Sequence, residues 1–170
     1  MDTGILGARV IFHVLSEFGE SDLAYKMITQ PTFPSYGNWV ARGATSLWEE
    51  FQPEGSGVYS RNHHFFGDIS GWFIKNIAGI QYNPFGKNHN EILIAPSFIQ
   101  GMDFAEGFHI APEGKIEVKW RRESESIVME LLIPDGYFGS ILLERDWVFK
   151  DGGDTSKTLS GGTYEILRAF

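Results

Sequence analysis

The sequence contains no cysteine, no long apolar run and no excess of positive charge, and each absence excludes a class of protein. Without cysteine, the chain has no disulfide, no thiolate metal site and no thiol nucleophile. No apolar run approaches the roughly 18 to 20 residues that a membrane-spanning helix needs. Fourteen basic residues against 22 acidic residues leave a net charge of -8, which is the wrong sign for binding a phosphate backbone. The composition therefore predicts a chain that binds neither nucleic acid nor a membrane.

The residues that are present describe a globular chain. A length of 170 residues with 42% hydrophobic content is enough for one sizeable core or two small ones, and the aromatic fraction of 15% suits both cores and the stacking of sugar rings. The residues Met1 to Gly4 show neither the basic nor the apolar region of a secretory signal, so we expect a cytoplasmic protein. No glycine pattern typical of nucleotide binding occurs, and we predict no cofactor.

The first half of the chain has helical periodicity. Apolar residues at three- and four-residue spacing predict a helix from about residue 4 to 18, with Thr3 as its N-cap and Gly19 just beyond its C-terminus. Ser21 is predicted to cap a second helix that ends near Thr29. A further helix is predicted from residue 64 or 65 to 78, whereas residues 36–51 have no regular period.

The second half changes to period two, which is typical of half-buried strands. Six strands are predicted, at residues 92–94, 116–121, 127–133, 141–143, 147–149 and 164–167. Turn residues separate them, and short strands at this spacing favour an antiparallel sandwich. The segment 83–88 is rich in residues that interrupt regular structure. We therefore predict a two-part α+β protein, with a helical domain over residues 1–82 and a β-sandwich over residues 88–170.

Two clusters carry candidate chemistry. Trp48-Glu49-Glu50 places carboxylates beside an indole, and a glycosidase needs two carboxyl groups, one as acid and one as base or nucleophile. The alternative is that Glu49 and Glu50 are simply solvated. His63 and His64 suggest a metal site, but adjacent helical histidines point about 100° apart, so a capping or hydrogen-bonding role is favoured and we predict no metal.

Several short motifs follow one another in an order that points to one family. They are Thr3-Gly4-Ile5-Leu6-Gly7, Asp22-Leu23-Ala24-Tyr25, Pro34-Ser35-Tyr36-Gly37, Gly43-Ala44-Thr45-Ser46-Leu47-Trp48-Glu49, Asn62-His63, Phe66-Gly67-Asp68-Ile69, Trp72-Phe73 and Ile77-Ala78-Gly79-Ile80. This succession resembles the C-terminal stretch of the bacterial α-L-rhamnosidases of glycoside hydrolase family 78. The resemblance covers residues 3 to about 80 closely and the remainder more loosely.

The resemblance implies a fold and an activity. Residues 1–82 would be the terminal helices of a six-hairpin α/α toroid, followed by an antiparallel β-sandwich. The activity would be the inverting hydrolysis of terminal α-L-rhamnosides, so the partner would be an L-rhamnose-containing glycoside. Glu49 matches the general base of the family, His63 matches a histidine of the sugar-binding pocket, and Trp48 adjoins that site.

One departure from the family is large. In the family's enzymes, the general acid belongs to an acidic block far upstream of the general base. Asp68 of this chain does not match that block. The resemblance thus implies a fragment that is incomplete and inactive alone. Such a fragment should expose the apolar stripe of its first helix, together with Trp39, Phe66 and Trp72, and should self-associate through these faces.

A different class of function stays open beside the hydrolase hypothesis. The β-rich half could be a non-catalytic carbohydrate-binding module, or it could be a structural module that binds nothing. Trp120 and Trp147 could stack on sugar rings in a binding module, but their period-two placement favours a position in the sandwich core.

Overall fold

The computed structural model describes residues 3–53, 55–57 and 59–169, and it divides into two compact units. The first unit ends at Trp72 and the second begins at Phe73. The predicted link 83–88 lies between two strands of one sheet in the second unit. The domain boundaries of 1–82 and 88–170 stay a prediction.

Among the described helices, none has the length and apolar character needed to cross a membrane.

The first unit is helical. Its helices are α1 (Gly4–Glu17), α2 (Ser21–Thr29), α3 (Tyr36–Ala41) and α4 (Asp68–Trp72). The prediction of α1 is confirmed, and Gly19, with a φ of 80°, directly follows its C-cap residue. The predicted cap of α2 was wrong, because Glu20 is the N-cap residue and Ser21 instead donates from Oγ to Ser16 Oγ at 3.0 Å.

Helix α3 lies where the sequence showed no period, and a local cap starts it. Ser35 is 0% exposed, and its Oγ accepts a hydrogen bond from the Asn38 amide at 2.9 Å. The same hydroxyl lies 3.0 Å from the Thr32 carbonyl, to which it can donate. Such a cap satisfies one of the amide groups that a helix N-terminus leaves unpaired. A helix of six residues is too short to show a hydrophobic period.

An aromatic cluster forms the core of the first unit. The rings of Phe12, Tyr36, Trp39, Phe66 and Trp72 are linked by centroid distances between 5.3 and 6.3 Å. Trp72 Nε1 donates to the Phe12 carbonyl at 3.0 Å, which joins α4 to α1. The expected exposure of Trp39, Phe66 and Trp72 was wrong, because these side chains are 2%, 5% and 0% exposed.

The second unit opens with a π-helical turn, Phe73–Ile77, so the helix predicted from residue 64 or 65 begins later and changes its winding. The strands are β1 (Ile80–Tyr82), β2 (Glu91–Ile94), β3 (Phe104–Ala111), β4 (Gly114–Arg122), β5 (Ser126–Leu132), β6 (Phe138–Leu142), β7 (Trp147–Phe149), β8 (Ser156–Thr158) and β9 (Gly162–Arg168). All six predicted strands are present.

Sequence reasoning missed β1, β3 and β8. In β3 the period is broken at Gly107, which occupies a buried position where the pattern would require an apolar side chain. A Cβ at Gly107 would lie 2.5 Å from Ala78 Cβ, so the close approach of the chain excludes a larger residue. Strands β1 and β8 have only three residues each, and β8 has no apolar residue, whereas the equally short β7 consists of three apolar residues, Trp147–Phe149.

The strands form a four-stranded sheet with the order β1-β2-β6-β8 and a five-stranded sheet with the order β3-β4-β5-β9-β7. Each sheet buries one face, as shown by Ile92, Ile94 and Ile141 in the first and by Ile116, Val118, Ile127, Met129 and Ile166 in the second. Trp120 and Trp147 are 2% and 9% exposed, so their placement in the core is confirmed. Only the β2–β6 pair among the described strands is parallel; the other strand pairs follow the antiparallel expectation.

Candidate active site

Two segments of the first unit without regular secondary structure are paired through their backbones and carry the predicted site residues. The Glu49 amide donates to the Ser60 carbonyl at 2.9 Å, and the His63 amide donates to the Leu47 carbonyl at 2.8 Å. Ser46 Oγ also donates to the Arg61 carbonyl. The structure therefore brings the Glu49 segment and the His63 segment side by side, although 13 positions of other sequence separate the two residues.

Trp48 anchors the first of these segments. Its ring is 4% exposed, and the guanidinium groups of Arg42 and Arg61 lie over it, with Cζ 5.0 Å and 5.4 Å from the ring centroid. Arg42 is itself held, because its Nη1 donates to the Gln52 carbonyl at 2.7 Å. A cation over an indole ring is attracted by the ring quadrupole. The contacts with the two arginines hold Trp48 in place, and they therefore also restrict the position of the adjacent Glu49 backbone.

The two carboxylates of the segment have different surroundings. Both Glu49 and Glu50 are half-buried, so the expectation that both are simply solvated is too simple. Glu50 Oε1 is buried and has no hydrogen-bond partner in the described part of the chain. Buried polar atoms are ordinarily satisfied, and an exception marks strain or a functional group. Glu49 is half-buried as well, but among the described atoms its carboxylate has no oxygen that is both buried and unpartnered.

His63 presents one ring nitrogen for binding. Its Nδ1 accepts a hydrogen bond from the Phe65 amide at 3.2 Å, so the neutral ring carries its proton on Nε2. The rings of His63 and His64 are stacked with centroids 5.2 Å apart, and Phe65 packs edge-on against His63. The capping contact made by Nδ1 agrees with the hydrogen-bonding alternative. It leaves Nε2–H as a donor that is suited to a hydroxyl oxygen.

Asp68 is occupied elsewhere in the unit. Its Oδ2 lies 2.9 Å from Nε2 of His13, which pairs α4 with α1. This contact gives Asp68 a structural role and agrees with its poor match to the acid of the family. Within the described ranges, no group of three or more histidine, aspartate or glutamate side chains is placed to hold a metal ion.

Sequence reasoning missed Arg42 and Arg61. Arg42 directly precedes the motif that contains Trp48, and Arg61 directly precedes Asn62-His63, but neither arginine belongs to a motif itself. Their contact with Trp48 depends on how the loop folds back, which no local period encodes. The assignments of Glu49, His63 and Trp48 to roles in catalysis or sugar binding stay predictions.

Comparison with known proteins covers both units. The family model described as the bacterial alpha-L-rhamnosidase 6 hairpin glycosidase domain matches residues 1–77, and the model of the bacterial alpha-L-rhamnosidase C-terminal domain matches residues 79–147. An alpha-L-rhamnosidase of Alteromonas sp. (strain LOR) is 33% identical over 141 residues, which are 78% of this chain and 15% of that protein.

Solved structures show the same architecture. The alpha-L-rhamnosidase from Dictyoglumus thermophilum superposes with a TM-score of 0.83 at 27% identity, over 99% of this chain and 21% of that one. The Streptomyces avermitilis alpha-L-rhamnosidase complexed with L-rhamnose superposes with a TM-score of 0.79 at 22% identity, over 96% and 17% of the two chains, and supports the fold alone.

The chain thus spans about one fifth or less of the length of the relatives that it matches. The matched parts are a six-hairpin glycosidase domain and the C-terminal domain that follows it, in the order predicted for the two halves. These matches confirm the resemblance drawn from the motifs and the two-part α+β fold class. The chain belongs to the bacterial α-L-rhamnosidase family, and it corresponds to the C-terminal portion of the family's enzymes.

Proposed function

We propose that this chain supplies the general base of an inverting α-L-rhamnosidase, and that the general acid comes from a part of the enzyme that this chain does not span. The observation that carries the proposal is the backbone pairing of the Leu47–Glu49 segment with the Ser60–His63 segment. The pairing brings the segment that carries the half-buried Glu49 next to the segment that carries His63, whose Nε2–H is a donor. A carboxylate and a donor on neighbouring segments would suit the activation of water next to a bound sugar.

Glu49 would accept a proton from the water that attacks the anomeric carbon. In an inverting enzyme, the acid and the base lie about 6.5 to 9.5 Å apart, because the attacking water must fit between the base and the sugar. The acid protonates the leaving oxygen from the opposite side. Glu50 directly follows Glu49 in the chain and Asp68 pairs with His13, so we assign the role of the acid to neither. The base and the acid would therefore come from separate stretches of the enzyme.

His63 and Trp48 would bind the sugar in different ways. His63 would donate from Nε2 to a rhamnose hydroxyl, since its Nδ1 is held by the Phe65 amide. Trp48 is 4% exposed, so its contribution to binding would come from holding the Glu49 segment in place between Arg42 and Arg61.

The substrate class, an L-rhamnose-containing glycoside, rests on the names of the relatives and on the rhamnose complex of one of them. The cytoplasmic location stays a prediction.

A chimera tests the proposal. This chain would replace the corresponding fifth of the Dictyoglumus thermophilum enzyme, and hydrolysis of an aryl α-L-rhamnoside would be measured. We expect the Glu49→Gln variant to lose about 10²- to 10⁴-fold in kcat with little change in KM, because a general base acts in the transition state. Proton NMR of the first-formed product should show the inverted anomer.

The neighbouring carboxylate provides the matched control. Glu50→Gln makes the same chemical change one residue away and should lower kcat by less than about tenfold. Circular dichroism of the three proteins checks that each is folded. Equal losses in the two variants, or a product of retained configuration, would contradict the assignment of Glu49 as the base.

A further inference from the structure

A cleft with both polar and apolar lining lies on the outer face of the four-stranded sheet, in the second unit. Its volume is about 400 Å³, within the range typical of small-molecule sites. The strand register aligns Gln81 of β1, Leu93 of β2 and Ser140 of β6 in one row across the sheet. All three lie on the solvent side of their strands, opposite to the buried Ile92 and Ile141. This row forms the floor of the cleft.

The loop between β1 and β2 forms the wall. Asn83, Gly86, Lys87 and Asn88 line the cleft from this loop. A turn orders its first part, because the Gly86 amide donates to the Asn83 carbonyl at 3.0 Å and the Phe85 amide donates to Asn83 Oδ1 at 3.1 Å. Phe85, within the same turn, is 95% exposed and does not line the cleft.

The chemistry of the lining indicates the class of ligand. Gln81, Asn83 and Asn88 carry carboxamides and Ser140 carries a hydroxyl, groups that both donate and accept hydrogen bonds. Asn83 Oδ1 accepts from the Phe85 amide, and Asn88 Nδ2 donates to Glu91 Oε2 at 3.2 Å. In the described part of the chain, no hydrogen bond occupies the side chains of Gln81 and Ser140, which are the groups best placed to bind a ligand. The charges of Lys87 and Glu91 are opposite and balance each other.

We propose that this cleft binds a neutral saccharide of about one sugar ring. Sugar hydroxyls act as donor and acceptor at once, which matches the carboxamides and the hydroxyl of the lining. The apolar side chain of Leu93 in the floor suits the C–H face of a pyranose. A phosphate or carboxylate ligand would require an excess of positive charge that the cleft does not have. This site lies in the other unit from Glu49 and His63, and it does not rest on the proposed function.

Two-dimensional ¹H–¹⁵N NMR of the 170-residue chain tests the proposal. The probes are the methyl glycosides of L-rhamnose, D-glucose and D-galactose, with D-galacturonate as the charged analogue. We expect at least one neutral glycoside to shift the amide signals of Gln81, Asn88, Leu93 and Ser140, with a dissociation constant in the millimolar range that does not depend on salt. The signals of Trp48 and His63 report separately on the helical unit.

Variants locate the binding. Gln81→Ala should weaken it about fivefold by removing one hydrogen bond, and Ser140→Trp should abolish it by filling the cleft. Both positions are exposed, so the sheet should tolerate the changes. Gln100→Ala alters an exposed glutamine outside the lining and should leave the affinity unchanged.

Three results would overturn the proposal. The first is the absence of shifts at the cleft signals for every glycoside tested. The second is an equal loss of affinity in Gln81→Ala and Gln100→Ala. The third is tighter binding of galacturonate that salt removes, which would make the cleft an anion site.

Discussion

At the scale of single residues, two core tryptophans of the second unit differ in one contact. The ring of Phe98 packs edge-on against both Trp120 and Trp147, with centroids 5.4 Å and 5.3 Å away. Trp120 Nε1 also donates to the buried carbonyl of Ile77 at 2.8 Å. Trp147 instead has the guanidinium groups of Arg122 and Arg168 near its ring. The indole nitrogen of Trp120 therefore satisfies a buried acceptor, whereas the ring of Trp147 faces cations.

Replacing each tryptophan by phenylalanine should separate the two roles. Trp120→Phe leaves the Ile77 carbonyl unsatisfied, and we expect it to lower the free energy of unfolding by about 1–3 kcal/mol more than Trp147→Phe does. Urea denaturation followed by circular dichroism measures the difference. If the two variants were equally stable, the hydrogen bond to Ile77 would contribute nothing.

At the scale of elements, the parallel pair β2–β6 depends on a glycine. Gly139 lies opposite Ile92 in the register, with a φ of 145°, and a Cβ there would lie 1.8 Å from the Ile92 carbonyl oxygen. Gly162 of β9 has nearly the same φ, 147°, but a Cβ there would meet nothing within 4 Å. The two glycines share a backbone conformation and differ in the space around them.

This pair separates backbone strain from steric conflict. We expect Gly162→Ala to cost about 1–2 kcal/mol of unfolding free energy, because alanine is strained at this φ. Gly139→Ala should cost at least about 2 kcal/mol more, since the added methyl group must push β2 away from β6. Denaturant titration of both variants gives the comparison. If the two variants lost the same unfolding free energy, the added methyl group at Gly139 would be accommodated by β2 and β6 without a further loss of stability.

At the scale of the whole molecule, the first helix exposes an apolar stripe. Leu6, Val10, Val14 and Phe18 recur every four residues and are 74%, 55%, 39% and 80% exposed. The predicted stripe is therefore present, although Trp39, Phe66 and Trp72 are buried in the aromatic cluster. Contiguous apolar patches of this kind mark interaction sites or cause aggregation.

The self-association expected from the sequence remains a prediction with a direct test. Sedimentation velocity over a range of concentrations should show association of the chain. The double variant Leu6→Ser/Phe18→Ser should weaken that association by about tenfold or more, because two large apolar side chains would no longer be buried in the contact. Phe85→Ser removes an equally exposed aromatic side chain of the second unit and serves as the control. A similar effect of both changes would contradict a role for α1.

Sequence patterns determined those elements whose apolar residues form a clear run or a regular period. They predicted α1, with Gly19 after its end, and the strands β2, β4, β5, β6, β7 and β9, because a helix or strand that buries one face repeats its apolar residues at a fixed spacing. Ordered motifs also identified the family. The same reasoning placed Trp48, Glu49 and His63 together as candidate site residues, whose roles the chimera tests.

Only the tertiary structure decided the contacts between residues far apart in the chain. It buried Trp39, Phe66 and Trp72 in one aromatic cluster and laid Arg42 and Arg61 over Trp48. It also made β2 and β6 parallel neighbours and formed the cleft on their outer face. The physical reason is that these arrangements depend on which surfaces meet when the chain folds back, whereas a local period reports only that a surface is apolar.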